Sequence, residues 1–255
     1  MKEKREHPLR QAGSGLLKLL YPPRCILCDE VLHLREHGCC SSCSAHLPWI
    51  TGPVCMKCGK PVASAEEEYC DDCMKYPHEF DCGAAPFTYT GRMVQSVVRM
   101  KFGNRRDYIA FYAEAMEQAL QSRLERWRPQ AIIPVPMHPK KKRRRGYNQA
   151  ELLAEELSRR TGIAYEGSLL RCVKMTAPQK QLGRMDRRKN LRGSFVMSRQ
   201  RTGLERVLIV DDVYTTGSTI DEISRVLKED GIRHTFFIVL CTGKGKKKVC
   251  TEKKL

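Results

Sequence analysis

The chain has 255 residues, 41 % of them hydrophobic, and its 46 Lys and Arg against 29 Asp and Glu give a formal net charge of +17. This length and composition predict one large or two modest domains with a buried core, and they exclude a disordered chain. The charged N terminus does not match a secretory signal peptide, and no apolar run approaches the about 18 residues of a membrane span, so we expect a cytoplasmic protein without one.

The positive charge is concentrated in three stretches, at residues 140–145, 180–192 and 244–254, which hold almost the whole excess. Such concentration favours a polyanionic ligand, namely phosphate, pyrophosphate or nucleic acid. The alternative is that these stretches are solvated faces or tails that aid solubility.

An N-terminal arm, residues 1–24 with a short helix predicted over 14–20, precedes a cysteine-rich segment at residues 25–82. Eight of the 13 cysteines form four Cys-x-x-Cys pairs that begin every fifteen residues. Without a signal peptide, such pairs indicate metal knuckles rather than disulfides, whereas a thioredoxin-like redox site normally has one pair. The predicted ligands are Cys25, Cys28, Cys40, Cys43, Cys55, Cys58, Cys70 and Cys73.

Eight thiolates predict two closed, structural Zn²⁺ sites, because four thiolates satisfy one tetrahedral ion. Sequential pairing of the knuckles needs only short loops and is favoured over an interleaved arrangement. Cys39 is expected to be a bystander next to Cys40. Replacement of a thiolate by a histidine stays open, and the candidates are His33, His37 and His46.

Residues 83–243 alternate between predicted strands and helices, and a basic tail, residues 244–255, follows. Strands alternating with helices predict an α/β fold with a parallel sheet flanked by helices. The predicted strands are 84–90, 131–135, 205–210 and 235–241. The predicted helices are 92–102, 107–126, 148–160 and 218–230.

The most informative segment is residues 207–219, in which an apolar strand ends at Asp211 and Asp212 and a turn then opens a helix. Backbone N–H groups and hydroxyls in such a turn cradle a phosphate, and the helix dipole adds to the attraction. Carboxylates beside a phosphate site fit a ligand that also carries hydroxyls or Mg²⁺, such as a sugar phosphate. The alternative is an ordinary strand–turn–helix with an Asp N-cap. The turn residues are Thr215, Thr216, Gly217, Ser218 and Thr219.

This segment resembles the signature of type I phosphoribosyltransferases, which bind phosphoribosyl pyrophosphate (PRPP). The resemblance implies the type I phosphoribosyltransferase fold and Mg²⁺ bound together with PRPP. It also implies that Asp211 and Asp212 hold the ribose hydroxyls in a catalytic role, while the turn that follows wraps the 5′-phosphate.

The chain as a whole, over about residues 14–242, resembles the ComF family of competence proteins. The match is carried by residues 21–25 and 58–61 in the cysteine segment, by residues 135–139 and 145–149, and by a spaced pattern over 176–195. The resemblance implies a double zinc ribbon joined to a phosphoribosyltransferase-like domain. It also implies single-stranded DNA and a competence helicase or other DNA-uptake proteins as partners.

By the same resemblance, Lys141 and Arg145 belong to the loop that contacts pyrophosphate, although relatives often carry Arg at the first position. Gln179 and Arg187 belong to the loop that closes over PRPP in catalytic relatives. Six consecutive basic residues exceed what one pyrophosphate engages, which leaves a surplus for a nucleic-acid backbone.

Three functions stay open at this point. The first is a PRPP-binding protein of natural transformation that contacts single-stranded DNA, with Phe102 and Tyr147 as aromatic candidates whose burial is expected. The second is an active phosphoribosyltransferase that uses Mg²⁺-PRPP and a nitrogen acceptor, for which no base-recognition element is identified. The third is a zinc-ribbon nucleic-acid adaptor with a vestigial PRPP fold.

Overall fold

The computed structural model describes residues 22–175, 190–198 and 203–243. The predicted helix over 14–20, the loop residues Gln179 and Arg187, and the basic tail lie outside the described residues. No helix within the described ranges is long and apolar enough to cross a membrane.

A parallel sheet forms the centre of the fold, as predicted. Its strands follow the order β1-β8-β7-β3-β4, β2 also pairs with β8, and every pairing is parallel. A separate antiparallel hairpin joins β5 to β6. The strands are β1 (Cys82–Ala84), β2 (Phe87–Thr88), β3 (Ala131–Pro134), β4 (Ala164–Tyr165), β5 (Leu170–Cys172), β6 (Phe195–Met197), β7 (Arg206–Tyr214) and β8 (His234–Thr242).

Helices cover both faces of this sheet. Most of their bounds lie within two residues of the prediction, but the predicted strand over 84–90 is replaced by two short strands separated by Pro86, which has no N–H for a strand ladder. The helices are α1 (Ser41–Ser44), α2 (Asp71–Lys75), α3 (Gly91–Phe102), α4 (Ile109–Trp127), α5 (Pro139–Arg145), α6 (Gln149–Thr161) and α7 (Ser218–Glu229), and a 3-10 turn (Arg106–Tyr108) precedes α4.

Helix α5 was not predicted, because a run of six cations has no apolar periodicity. Its ends are nevertheless well defined. The His138 side chain caps the helix by accepting from the N–H of Lys140, Pro139 occupies the first turn, and Gly146 ends the helix with φ of +87°. The basic side chains near its C-terminus also interact favourably with the helix dipole. The segment expected to be a pyrophosphate-contacting loop is therefore largely helical.

The alternation of side chains along the strands divides the core into two clusters. Leu208 and Val210 of β7 face α3, α4 and α6, whereas Val207 and Ile209 face α7. The first cysteine knuckles pack into the former cluster through Cys25 and its neighbours, and the later knuckles pack into the latter. The two halves of the cysteine-rich segment thus lie against opposite faces of one sheet.

At Gly59, the second half of the cysteine-rich segment approaches the sheet closely. Its φ is +72°, and a Cβ added there would lie 2.7 Å from the carbonyl oxygen of Gly83 and 2.9 Å from the Cα of Ala84 on β1. We expect Gly59→Ala to lower the free energy of unfolding by about 2 kcal/mol and the Tm by about 4–8 °C, because strain and a backbone clash add. Thermal unfolding measures this. Gly52→Ala, which meets nothing within 4 Å, is the control, and equal Tm values for the two variants would contradict the prediction.

Candidate functional site

The eight knuckle cysteines form two compact groups of four. Within each group, all ligand atoms lie within 4.8 Å of one another, which confirms the sequential pairing. Four thiols at this spacing fit the closed tetrahedral donor set of a structural Zn²⁺ ion. None of the three nearby histidines belongs to either group. The first group is Cys25, Cys28, Cys40 and Cys43, and the second is Cys55, Cys58, Cys70 and Cys73.

The acidic pair lies in the last part of β7, beyond the point at which its neighbour β3 ends. The final register pair between these strands joins Pro134 to Val210, and Asp211 and Asp212 follow directly. The predicted strand ends at Val210, whereas β7 continues to Tyr214 because β8 pairs with it along this length. The carboxylates are therefore at the carboxyl edge of the sheet, where open α/β sheets bind ligands.

Asp212 is held by two side chains from helices on one face of the sheet. Lys101 at the end of α3 places its Nζ 2.9 Å from Oδ2 of Asp212, whose side chain is only 6 % exposed. Gln149, the first residue of α6, donates from Nε2 to the same oxygen. Asp211 accepts a backbone hydrogen bond from the N–H of Asp212 at 2.8 Å.

The closely spaced charges shift the pKa values of Asp211 and of Lys101. Burial and the adjacent Asp212 carboxylate raise the pKa of Asp211 to about 7. Burial alone would lower the pKa of Lys101, but attraction to the Asp212 carboxylate outweighs it, so the pKa of Lys101 lies above its ordinary value. Lys101 therefore stays protonated and neutralises one of the two carboxylates.

The turn after β7 requires glycine at Gly217. Its φ is +81°, and a Cβ there would lie 2.7 Å from the Tyr214 hydroxyl and 2.9 Å from Cε1 of His78. Gly217 is also the N-cap of α7, with no side-chain cap hydrogen bond, so the alternative of an Asp N-cap is wrong. The hydroxyls of Thr216 and Ser218 are 3.0 Å apart, next to the N–H groups of the first turn of α7.

The chain around and just after the second cysteine group braces this turn from behind. His78 Nδ1 lies 3.0 and 2.9 Å from the two carboxylate oxygens of Asp221 on α7, and the N–H of Glu79 donates to one of them at 3.0 Å. Both side chains of the His78–Asp221 pair are almost fully buried. Lys60, which binds Asp72 at 2.7 Å, has its Nζ 5.3 Å from the Tyr214 ring centroid.

The first cysteine group is connected to the acidic pair through α3. Arg99 donates from Nη2 to the carbonyl oxygens of Ile26 and Leu27, at 3.0 and 2.8 Å, inside the first knuckle. Lys101, two residues further along the same helix, reaches Asp212. One helix therefore fixes its position against a zinc knuckle and presents a cation to the carboxylate.

Arg145 and Lys141, both predicted from the family resemblance, approach the pair from α5. Arg145 Nη1 donates to Oε1 of Gln149 at 2.6 Å, which links it to Asp212 through the Gln149 amide. The buried Nε of Arg145 has no hydrogen-bond partner within the described part of the chain. Desolvation and the charges of Arg145 and Lys101 lower the pKa of Lys141, although both carboxylates act in the opposite direction.

Sequence reasoning missed the roles of Lys101, Gln149 and His78. Gln149 lies within a segment that carries the family resemblance, so the sequence singled out its position but not its contact with Asp212. His78 and Asp221 are 143 positions apart in the chain, and no local pattern joins residues at that distance. Lys101 likewise has no signal within the helix that carries it.

Together these features define an α/β protein in which two four-cysteine zinc sites brace an acidic pair and a glycine turn at the end of the central strand. Residues 16–74 match the family described as "Double zinc ribbon domain". The chain is 34 % identical over 215 residues to competence protein F of Haemophilus influenzae. The aligned region covers 82 % of this chain and 92 % of that protein. The chain belongs to this family, the ComF family of competence proteins.

Two further similarities are found. The DNA utilization protein YhgH of Salmonella typhimurium is 31 % identical over 226 residues, which covers 88 % of this chain and 98 % of that protein. Among solved structures, purine phosphoribosyltransferase from Pyrococcus horikoshii aligns at 21 % identity over 52 % of this chain and 74 % of that one, with a TM-score of 0.30.

Metal content tests the two zinc sites. We expect two Zn²⁺ per chain, and Cys40→Ser to retain only one, because it removes a ligand of the first group. Cys39→Ser is the matched control: its Sγ lies 3.8 Å from that of Cys25, yet it stands outside the group of four. Native mass spectrometry measures the ratio. A Cys39→Ser protein with a single zinc ion would contradict the ligand assignment.

The raised pKa of Asp211 makes a prediction about stability and pH. The pKa lies near 7 in the folded chain against an ordinary value of 3.8, so between these values the folded state holds a proton that the unfolded state lacks, and stability falls as the pH rises. Asp211→Asn removes this loss. We expect its Tm advantage over the parent chain to grow by about 2–4 °C, equivalent to about 1 kcal/mol, between pH 6 and pH 8.

Thermal unfolding at the two pH values measures the difference, with the exposed Glu125→Gln as the control for removing one negative charge. A Tm advantage of Asp211→Asn that stays constant with pH, or that shrinks above pH 7, would contradict the assignment of a raised pKa to Asp211.

Proposed function

We propose that this protein is a PRPP-binding, phosphoribosyltransferase-like protein that acts in DNA uptake and contacts single-stranded DNA. The observation that carries the PRPP part is the placement of two carboxylates and a glycine turn at the carboxyl end of one central parallel strand. The names of the relatives, a competence protein and a DNA utilization protein, support the part concerned with DNA.

Each part of PRPP has a chemical counterpart at this site. Asp211 and Asp212 are acceptors for the ribose hydroxyls, and the turn around Gly217 offers N–H groups for the 5′-phosphate. The unpartnered Nε of Arg145 is a donor for a pyrophosphate oxygen. The residues thus fit the ligand. Mg²⁺, which prefers oxygen ligands, would neutralise pyrophosphate charge when bound with PRPP.

The turn residues that would surround the 5′-phosphate have distinct contributions. Thr216 and Ser218 present hydroxyls 3.0 Å apart, and Gly217 allows the backbone to approach the ligand closely. The N–H of Thr219 lies within the first turn of α7, where N–H groups lack intrahelical partners. Thr215 is exposed at the outer side of the turn.

Helix α5 supports the contact with nucleic acid. Residues 140–144 of this helix are all exposed cations. Together with Arg145 they carry more positive charge than one pyrophosphate neutralises. A single strand binds through many phosphate contacts of this kind, each of which makes the affinity more sensitive to salt.

An active phosphoribosyltransferase is the second candidate function, and a cleft lined in part by α5 supports it. The cleft has a volume of about 830 Å³ and is lined by residues that follow β3, by α5 and by β5. That volume accommodates a small acceptor. In this alternative, the carboxylates stabilise positive charge that develops on the ribose while the cations stabilise the departing pyrophosphate.

The domain organisation is part of the same proposal. We propose an arm over residues 1–24, a double zinc ribbon over 25–82, a phosphoribosyltransferase-like domain over 83–243 and a basic tail over 244–255. The zinc sites have a structural or docking role, because four thiolates leave no coordination position for chemistry. Eight metal-binding thiolates require a reducing compartment, which favours the cytoplasm.

Calorimetry with Mg²⁺-PRPP tests the PRPP part. We expect the zinc-loaded protein to bind Mg²⁺-PRPP with measurable heat, and the Asp211→Asn/Asp212→Asn double variant to show none, because both hydroxyl-binding carboxylates are lost. Zinc content and thermal unfolding verify that the variant is folded, and Glu125→Gln controls for lost charge. A folded parent protein that shows no binding would remove both PRPP-based functions and leave the zinc-ribbon adaptor with a vestigial fold.

A further inference from the structure

Phe102, the last residue of α3, is a large apolar side chain that the fold leaves on the surface. It is 68 % exposed, so the expectation that it would be buried is wrong, whereas Tyr147 is buried as expected. Gly103 ends the helix, and Asn104, with φ of +54°, turns the chain away. The ring therefore lies at the C-terminal end of α3, one residue after the lysine that binds Asp212.

Arg145 covers this ring. The centre of its guanidinium lies 4.7 Å from the ring centroid of Phe102, which is within the range of a cation–π contact. The hydrogen bond from Arg145 to Gln149 fixes the guanidinium, so the pair is ordered before any ligand arrives. A second pair, Arg106 over Tyr147 at 4.7 Å, adjoins it, but its ring is buried and its hydroxyl donates to the Met100 carbonyl oxygen.

An exposed aromatic ring beside a row of cations has a defined chemical complement. Bases stack on aromatic rings and guanidinium planes without regard to sequence, and cations follow the phosphates. The exposed residues 140–144 of α5 lead up to Arg145, so the stacking surface lies at the end of a cationic helix. A duplex keeps its bases stacked inside, whereas a single strand offers them to such a surface.

We propose that Phe102 and Arg145 form a nucleobase-stacking site that takes a base of a single strand whose phosphates lie along α5. This inference rests on the DNA part of the proposed function and names the residues that recognise the strand. A free nucleobase shares the stacking chemistry, but it has no phosphates to pair with the exposed cations of α5, so the strand is the occupant that the charges favour.

The test compares two strands that differ only in their bases. One is a fluorescently labelled oligothymidylate, and the other is an oligonucleotide of equal length built from abasic residues. We expect Phe102→Ala to weaken binding of the oligothymidylate by about 5- to 150-fold, with the same slope of affinity against salt. It should leave the affinity for the abasic strand unchanged. Fluorescence anisotropy over a salt series gives both quantities.

Two variants make the test specific. Phe102→Trp should retain the affinity, and its added fluorescence should be quenched by oligothymidylate and not by the abasic strand, against the background of Trp49 and Trp127 in the parent chain. Arg143→Ala, which removes an exposed cation of α5, should weaken both strands and make the salt slope shallower, because it removes a phosphate contact.

Each of the other possible results would contradict a specific part of the proposal. If the parent chain binds both strands and Phe102→Ala affects neither, or affects both equally, the stacking site is wrong and the DNA contact stands. If the parent chain binds neither strand, the DNA part of the proposed function fails and the inference fails with it. If free thymine or adenine at millimolar concentration quenches Phe102→Trp while oligothymidylate does not, the site takes a free nucleobase and the strand assignment is wrong.

Discussion

Two carboxylates on consecutive residues at the end of a buried strand impose the constraint on which the site depends. Asp211 and Asp212 repel each other in a partly dehydrated place, and the fold compensates one of them with Lys101 and Gln149. Removing one partner of a buried ion pair typically costs about 3–5 kcal/mol, so α3 and α6 must meet β7 here. The other carboxyl accepts the backbone N–H of Asp212, but burial and the neighbouring carboxylate outweigh this bond and raise the pKa of Asp211.

The zinc ribbons act on this site from opposite faces of the sheet. The first packs into the core beneath α3 and α4, and its backbone carbonyls accept hydrogen bonds from Arg99. These bonds fix the position of α3, and therefore of Lys101, relative to a zinc knuckle. The second packs on the side of α7 and holds Asp221 through His78, which fixes the start of that helix behind the turn. The ribbons are thus structural supports for the acidic pair and the turn respectively.

Local chemistry accounts for what the sequence predicts and what it does not. The four cysteine pairs and the continuous apolar run of β7 are local patterns, so the two zinc sites, the parallel sheet and the turn at Gly217 could be predicted, as could the family. The contacts of Lys101 and His78 could not, because each joins distant segments that only the folded sheet brings together. Helix α5 was missed because its stability comes from its ends and from the Lys142–Glu151 ion pair at 2.6 Å, not from an apolar face.

Arg145 is the residue at which the two proposed ligands meet. Its guanidinium lies over Phe102 and bonds to Gln149, which in turn holds Asp212, so it belongs to both the proposed stacking site and the proposed PRPP site. Pyrophosphate and a nucleic-acid strand are both polyanions that draw on the cations of α5. If both bind as proposed, each weakens the other through shared cations, and thermodynamic linkage makes the factor the same in both directions. In that case the cations of α5, shared by both ligands, would couple a small phosphorylated ligand to a strand without requiring a second conformation of the protein.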